Sequence, residues 1–303
     1  RPKNDGVLIG RSARIFHTGL DHHEVARNYP VDSAAYANIK LTAAAVLDAL
    51  RAHDLETSAI KARRKWLQHY ADERRERLAQ ALQQDADKAP IALSRLFSEL
   101  DKVMSPDACI VQEMVTSLDQ AQNYLTIDCN APYERRRRAF GTTGGVLGWG
   151  APAAVGVAIG SPGREIWCVL GDGAFNFGLQ SLWSAARYEA PVAHVILNNG
   201  QYQANRMNMA KYPGRMRAMG QYPGVSLRAP EIDYVALASG YGVEAESVSE
   251  PAALAAALER AKGVINSGRP YVVDVRLETR FGGFDPDWYD HLSIAEGWTP
   301  AAG

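Results

Sequence analysis

Two short triplets carry the residue types best suited to chemistry. Gly171-Asp172-Gly173 closes the apolar run Trp167-Cys168-Val169-Leu170, and after 24 further residues Asn198-Asn199-Gly200 closes another, Val192–Leu197. A carboxylate and an amide oxygen at the ends of two strands, each beside a glycine turn, are what a small hard cation holding a diphosphate requires. The glycines let the backbone approach a phosphate, and a helix after Asp172 offers free N–H groups and the positive end of its dipole. Asp172 and Asn199 are therefore candidate Mg²⁺ ligands through their side chains, and Gln201 through its carbonyl. The diphosphate and a water would complete the six oxygens that Mg²⁺ demands.

Such groups need a scaffold, and the rest of the chain supplies a pattern for one. From Pro90 onward apolar runs of strand length alternate with helical stretches: helix Pro90–Val103, strand Ala108–Val111, helix Ala151–Ile159, strand Glu165–Leu170, helix Phe177–Tyr188 and strand Val192–Leu197. Helix Ile232–Ser239, a strand near Val243, helix Pro251–Ile265 and strand Tyr271–Leu277 follow. This alternation predicts an α/β fold with a parallel sheet and helices on both faces, with ligands bound beyond the carboxyl ends of the strands. Ahead of it, residues 1–52 contain the helix-forming stretch Leu41–Leu50 and are too few for a stable domain alone. Residues 53–89 are strongly charged and predict a solvated connecting helix, residues 90–280 form the main domain, and residues 281–303 form an aromatic and acidic tail that packs over a neighbouring surface.

Composition sets outer limits. With 303 residues, 47% of them hydrophobic, and a formal net charge of -1, the chain can bury a large core and shows no demand for nucleic acid or an anionic membrane. Ala139–Gly163 is uncharged, but its eight glycines and two prolines predict a buried glycine-rich loop leading into a helix rather than a membrane span. Cys109, Cys129 and Cys168 lack C-x-x-C spacing and fit reduced thiols, so the expected location is the cytoplasm. The chain begins at Arg1, and the natural start is expected upstream or in a processed precursor.

Gly-Asp-Gly followed 24 residues later by Asn-Asn resembles the motif of thiamine diphosphate-dependent enzymes. The resemblance runs from about Pro90 to Glu278, and Gly144–Gly156, Leu182–Tyr188 and Ile232–Val243 are similar to benzoylformate decarboxylase and the acetolactate synthase group. It implies thiamine diphosphate and Mg²⁺ as cofactors, with Gly171, Asp172, Gly173, Ala174, Asn199 and Gln201 around the metal and diphosphate. Many relatives have serine where Ala174 stands, so one hydroxyl contact is missing. Thr116 and Ser117 would touch the diphosphate from the other side. Leu147 would hold the cofactor in its bent form, and the Gly145 carbonyl would receive its amino group, making these two the catalytic candidates. The implied activity is decarboxylation of 2-oxo acids or carboligation. Acetolactate synthase-like or 2-hydroxyacyl-coenzyme A lyase activity, or a non-catalytic regulatory subunit, are the alternatives.

The same resemblance implies incompleteness. Residues 1–52 resemble only the end of a central domain, and the pyrimidine-binding domain, with its catalytic glutamate, has no counterpart. The expectation is a diphosphate-binding subunit or fragment that works with a pyrimidine-domain partner, as a dimer of heterodimers. Other candidates are His22-His23, read as a surface turn; Glu134–Arg138, read as a solvated or inter-subunit face; and His194, read as a satisfied core histidine. Tyr202–Tyr222, with Arg206, Lys211, Arg215 and Arg217, is read as a substrate lid whose cations suit a carboxylate.

Overall fold

The computed structural model describes residues 9–10, 12–53, 57–142, 144–211, 222–228 and 230–279. The chain divides into two compact units between Glu76 and Arg77.

The first unit is sparse. Strands β1 (Phe16–Gly19) and β2 (Ser33–Tyr36) pair in parallel, and helix α1 (Ile39–Ala52) starts at Asn38, whose side chain accepts the Lys40 and Leu41 N–H groups. No residue of α1 is buried, and Ile39, Leu41, Val46, Leu47 and Leu50 are all exposed. Helix α2 (Thr57–Asp85) runs from this unit into the second and also buries nothing. Its charges explain this: a helix polar all round has no face to commit to a core.

The second unit holds the core. Helix α3 (Leu93–Val103) buries Leu93, Leu96, Phe97, Leu100 and Val103, the i, i+3, i+4, i+7 stripe of an amphipathic helix. Strand β3 (Cys109–Glu113), helix α4 (Leu118–Tyr124), strand β4 (Arg138–Gly141), helix α5 (Gly150–Gly160) and strand β5 (Ile166–Gly171) follow. Then come the single turn α6 (Asp172–Phe175), helix α7 (Ser181–Arg187), strand β6 (Val192–Asn198) and helix α8 (Gln203–Lys211). Helix α9 (Tyr234–Gly240), strand β7 (Glu244–Val248), helix α10 (Pro251–Asn266) and strand β8 (Tyr271–Arg276) complete it.

The sheet is wholly parallel, in the order β4-β3-β5-β6-β8-β7. β6 is buried along its whole length, as the continuous apolar run of a central parallel strand requires. Alternate residues feed two cores. Trp167 and Val169 pack with α3 and α10, while Cys168 and Leu170 pack with α5, α7 and α9. Truncating a fully buried side chain such as Phe97 or Leu170 costs about 2–5 kcal/mol. Because β4 lies on one side of β3 and β5 on the other, the order in which strands are added reverses at β3/β5, which opens a crevice at their carboxyl ends.

The structure departs from the sequence pattern in four places. The helix expected from Pro90 begins at Leu93, because Ile91 bridges Leu277 and its N–H donates to the Arg276 carbonyl at 3.1 Å. The helix expected from Phe177 begins at Ser181, because Gly178 is pressed against the Gly148 backbone. The run read as a solvated face contains the start of β4, and within it Arg137 is buried, paired with Asp101 and donating to the Ser105, Met104 and Thr126 carbonyls. The glycine-rich loop is not buried: Val146 is 70% exposed and Leu147 39%, since no described residue covers them. No described helix is long and apolar enough to cross a membrane.

Candidate active site

Asp172 follows directly on β5 and is almost fully buried. Its Oδ1 accepts the Gly173 N–H at 2.8 Å and its Oδ2 the Gly200 N–H at 2.7 Å, so one carboxylate joins the loops after β5 and β6. The Tyr234 hydroxyl donates to the Asp172 carbonyl at 3.2 Å. Burial pushes the Asp172 carboxyl up to about 6, against the pull of the Gly173 and Gly200 N–H groups, and Asp274 adds to the rise.

The two asparagines after β6 divide the work. Asn198 turns inward, its Nδ2 donating to Asp274 Oδ1 at 2.8 Å and its Oδ1 accepting the Gly200 N–H at 3.1 Å. Asn199 lines the cleft; its Oδ1 accepts the Gln201 N–H at 3.0 Å and its Nδ2 donates to Gln203 Oε1 at 2.9 Å. Gly200 has φ +71, and a Cβ there would run into the Arg228 guanidinium. A Cβ on Gly173 would lie 2.7 Å from the Tyr202 ring. A side chain at Gly200 is strained by its φ as well as crowded by Arg228, and one at Gly173 has to displace the Tyr202 ring.

The opposite wall is built from β3. Glu113 ends that strand, and its carboxylate accepts the Gly148 N–H through Oε1 and the Gly150 N–H through Oε2, both at 2.7 Å. A carboxylate at the start of α5 also complements the helix dipole. Gly148, at φ +91, lies so close to Phe177 that a Cβ would stand 2.7 Å from the Phe177 Cβ and 2.8 Å from its carbonyl oxygen. The Leu147 loop is thereby fixed from both sides.

Leu147, Thr116, Ser117, Gly171, Asp172, Gly173, Ala174, Asn199 and Gln201 all line one cleft of about 550 Å³. Gly145, at φ +65, lines an adjoining hollow that shares Glu113, Met114, Val115 and Leu147 with it. Sequence reasoning missed Glu113, Asn198 and Tyr234 as parts of this neighbourhood, and placed Tyr202 and Gln203 only in the expected lid. The one available signal was an acidic residue two places after the apolar run Ala108–Val111.

The remaining candidates lie elsewhere. His22 and His23 are exposed in a turn, their rings 3.9 Å apart. Cys109 and Cys168 are buried free thiols, and Cys129 is exposed. Of the expected lid, α8 and Tyr222 are described, with Arg206 over the Tyr222 ring, whereas Arg215 and Arg217 lie outside the described residues, as does the 281–303 tail.

His194 is in the core, where neither ring nitrogen meets a partner at full hydrogen-bond geometry among the described residues, although the Tyr271 and Val192 backbone acts on the ring. Its neighbours in register, Cys168 and Val272, offer no strong acceptor. Burial lowers its pKa from 6.5 to about 4, against a smaller opposing effect of the Tyr271 and Val192 backbone. Between those values the unfolded chain binds a proton that the folded one does not, so this residue makes stability fall as pH drops from 6.5 to 4. From pH 7 to pH 5 the loss is about 2 kcal/mol. His194→Leu is expected to remove that slope from urea-unfolding curves measured across this range; parallel curves for the two proteins would contradict it.

The chain belongs to the thiamine pyrophosphate enzymes: the family of their C-terminal TPP-binding domain, thiamine pyrophosphate being thiamine diphosphate, matches residues 121–275. Benzoylformate decarboxylase of Pseudomonas aeruginosa is 32% identical over 190 residues, covering 63% of this chain and 33% of that protein. The probable acetolactate synthase large subunit of Methanococcus aeolicus is 26% identical over 291 residues, covering 92% of this chain and 45% of its own. Among solved structures, the thiamine diphosphate-dependent 4-hydroxybenzoylformate decarboxylase of Rhodococcus jostii RHA1 superposes with a TM-score of 0.66 at 26% identity, covering 91% of this chain and 46% of that one. The chain thus spans a third to a half of the length of these relatives.

Proposed function

We propose that this chain is the diphosphate- and Mg²⁺-binding half of a thiamine diphosphate-dependent decarboxylase or carboligase acting on 2-oxo acids, completed by a pyrimidine-domain partner. The observation that carries this reading is the convergence of Asp172, Asn199 and Gln201 on one cleft at the carboxyl ends of adjacent parallel strands. Their donors are oxygens, the set that suits Mg²⁺. The raised Asp172 pKa adds to the fit, because a bound cation offsets the burial that disfavours the carboxylate.

In this reading Asp172 and Asn199 hold the metal with their side chains and Gln201 with its carbonyl. The amides of Gly173 and Ala174 and the hydroxyls of Thr116 and Ser117 hold the diphosphate. Thiamine diphosphate, when bound, supplies a carbon nucleophile and an electron sink for making or breaking a C–C bond. Leu147 supports its bent shape, and Gly145 offers a carbonyl to its amino group. Glu113 positions both by clamping the loop at Gly148 and Gly150. The glutamate that polarises the pyrimidine comes from the partner, in an assembly of two heterodimers.

Exposed apolar side chains support the need for a partner. Val146, Leu147, Phe177 and Trp183 stand uncovered on the second unit, and the first unit leaves the apolar residues of α1 in solvent. Such side chains are the ones a partner surface would cover. The 33.0 kDa chain alone, with thiamine diphosphate and Mg²⁺, is expected to turn over neither benzoylformate nor pyruvate. Adding the pyrimidine-domain chain restores turnover, and the product separates decarboxylation from ligation. Turnover by the lone chain would refute the partner requirement.

A further inference from the structure

Beside the loop after β6 a second, open hollow is lined by Arg206, Tyr222, Ser226, Arg228 and Thr279 together with Gly200 and Gln201. No carboxylate among the described residues lines it. The Arg228 guanidinium has no carboxylate at ion-pair distance among the described residues; its Nη2 donates to the Asn199 carbonyl at 3.2 Å. The Thr279 hydroxyl donates to the same carbonyl at 3.3 Å, and Ser226 Oγ accepts the Arg228 N–H at 3.3 Å. Arg206 donates to Gln201 Oε1 at 3.0 Å and lies over the Tyr222 ring, 5.6 Å from its centre. The Arg228 guanidinium fork, with Arg206 and two hydroxyls around the same space, makes the site donor-rich.

We propose that this hollow binds a small oxyanion of the phosphate class, free or as a phosphomonoester. A guanidinium matches a tetrahedral oxyanion with paired N–H donors, and the Ser226 hydroxyl, which accepts the Arg228 backbone N–H, keeps its own proton to donate. The hollow is separate from the cofactor cleft, sharing only Gln201 with it. Its occupancy bears on that cleft because Arg228 and Thr279 hold the Asn199 carbonyl while Arg206 holds the Gln201 side chain. An anion here neutralises the Arg228 charge beside the metal loop and so favours Mg²⁺ binding, and the coupling is reciprocal; this consequence rests on the cofactor reading proposed above.

The test is calorimetric titration of the purified protein with inorganic phosphate at constant ionic strength, alone and with saturating thiamine diphosphate and Mg²⁺. A parallel titration with glycerol 3-phosphate distinguishes the free from the esterified anion. Saturable binding is expected with a dissociation constant on the order of a millimolar, retained when the cofactor is present. Arg228→Gln should weaken it at least about tenfold and Arg228→Lys less, with thermal melting confirming that both variants fold. Displacement of phosphate by thiamine diphosphate, equal affinity in Arg228→Gln, or no saturable binding beyond chloride would overturn the proposal. If thiamine diphosphate itself fails to bind, the cofactor reading falls, while the Arg228 comparison still decides the anion site.

Discussion

Asp172→Ala is expected to weaken Mg²⁺-dependent binding of thiamine diphosphate at least about 100-fold, because it removes the one charged oxygen donor among the proposed ligands. The same change strips the Gly173 N–H of its acceptor, which costs about 1–3 kcal/mol for a donor left buried and unpaired, and leaves the Gly200 N–H only its longer bond to Asn198 Oδ1. Loss of binding by the alanine variant therefore has to be separated from loss of structure. Asp172→Asn does this. It keeps the shape and one acceptor, and it removes the charge whose burial raises the carboxyl to about 6, a strain of about 3 kcal/mol above that pH in the cofactor-free protein. The sign follows: a raised carboxyl pKa makes the ionised form destabilising as pH rises from 4 to 6, so neutralising it offsets the lost hydrogen bond. The asparagine variant should stay within about 2 kcal/mol of the parent in urea unfolding at pH 8 and still lose Mg²⁺-dependent binding. Undiminished cofactor affinity in a folded Asp172→Asn protein would remove Asp172 from the metal site.

Gly148→Ala carries a large expected loss of stability from the addition of a single methyl group. The residue sits at φ +91, and the added methyl group would stand 2.7 Å from the Phe177 Cβ and 2.8 Å from its carbonyl oxygen. Backbone is the obstacle, so no side chain can move aside. The facing position is equally tight, since a Cβ on Gly178 would lie 2.7 Å from the Gly148 carbonyl oxygen. Strain and overpacking together should cost about 3 kcal/mol or more and displace the neighbouring Leu147. Gly156→Ala provides the contrast: it lies within α5 with nothing within 4 Å of the added methyl, and helix propensity predicts stabilisation of up to about 1 kcal/mol. Urea denaturation of the two variants reads both effects, and equal stability for them would contradict the packing described.

What local sequence can announce, it announced. Asp172 and Asn199 were legible because each follows a continuous apolar strand and borders a glycine, and those signals lie within ten residues. The alternation of strands and helices was legible for the same reason. Glu113 was not, because its partners Gly148 and Gly150 are 35 and 37 residues away and a hydrogen bond to a backbone N–H leaves no trace in residue type. β4 was hidden by the arginines at its start, whose charge mimics a solvated surface although Arg137 is buried on Asp101 and three carbonyls. The division of labour between Asn198 and Asn199 depends on which face of the strand end each occupies, and Asp274, which fixes Asn198, comes from a strand 76 residues later.

The most direct test of the metal-diphosphate site is a calorimetric titration of the parent protein with thiamine diphosphate, with Mg²⁺ and after its removal by chelation, and with thiamine as the comparison ligand. A cleft that grips the diphosphate through Asp172, Asn199 and Gln201 predicts one site per chain, binding that depends on Mg²⁺, and no detectable binding of thiamine. Equal affinity with and without Mg²⁺, or thiamine binding as tightly as its diphosphate, would contradict it.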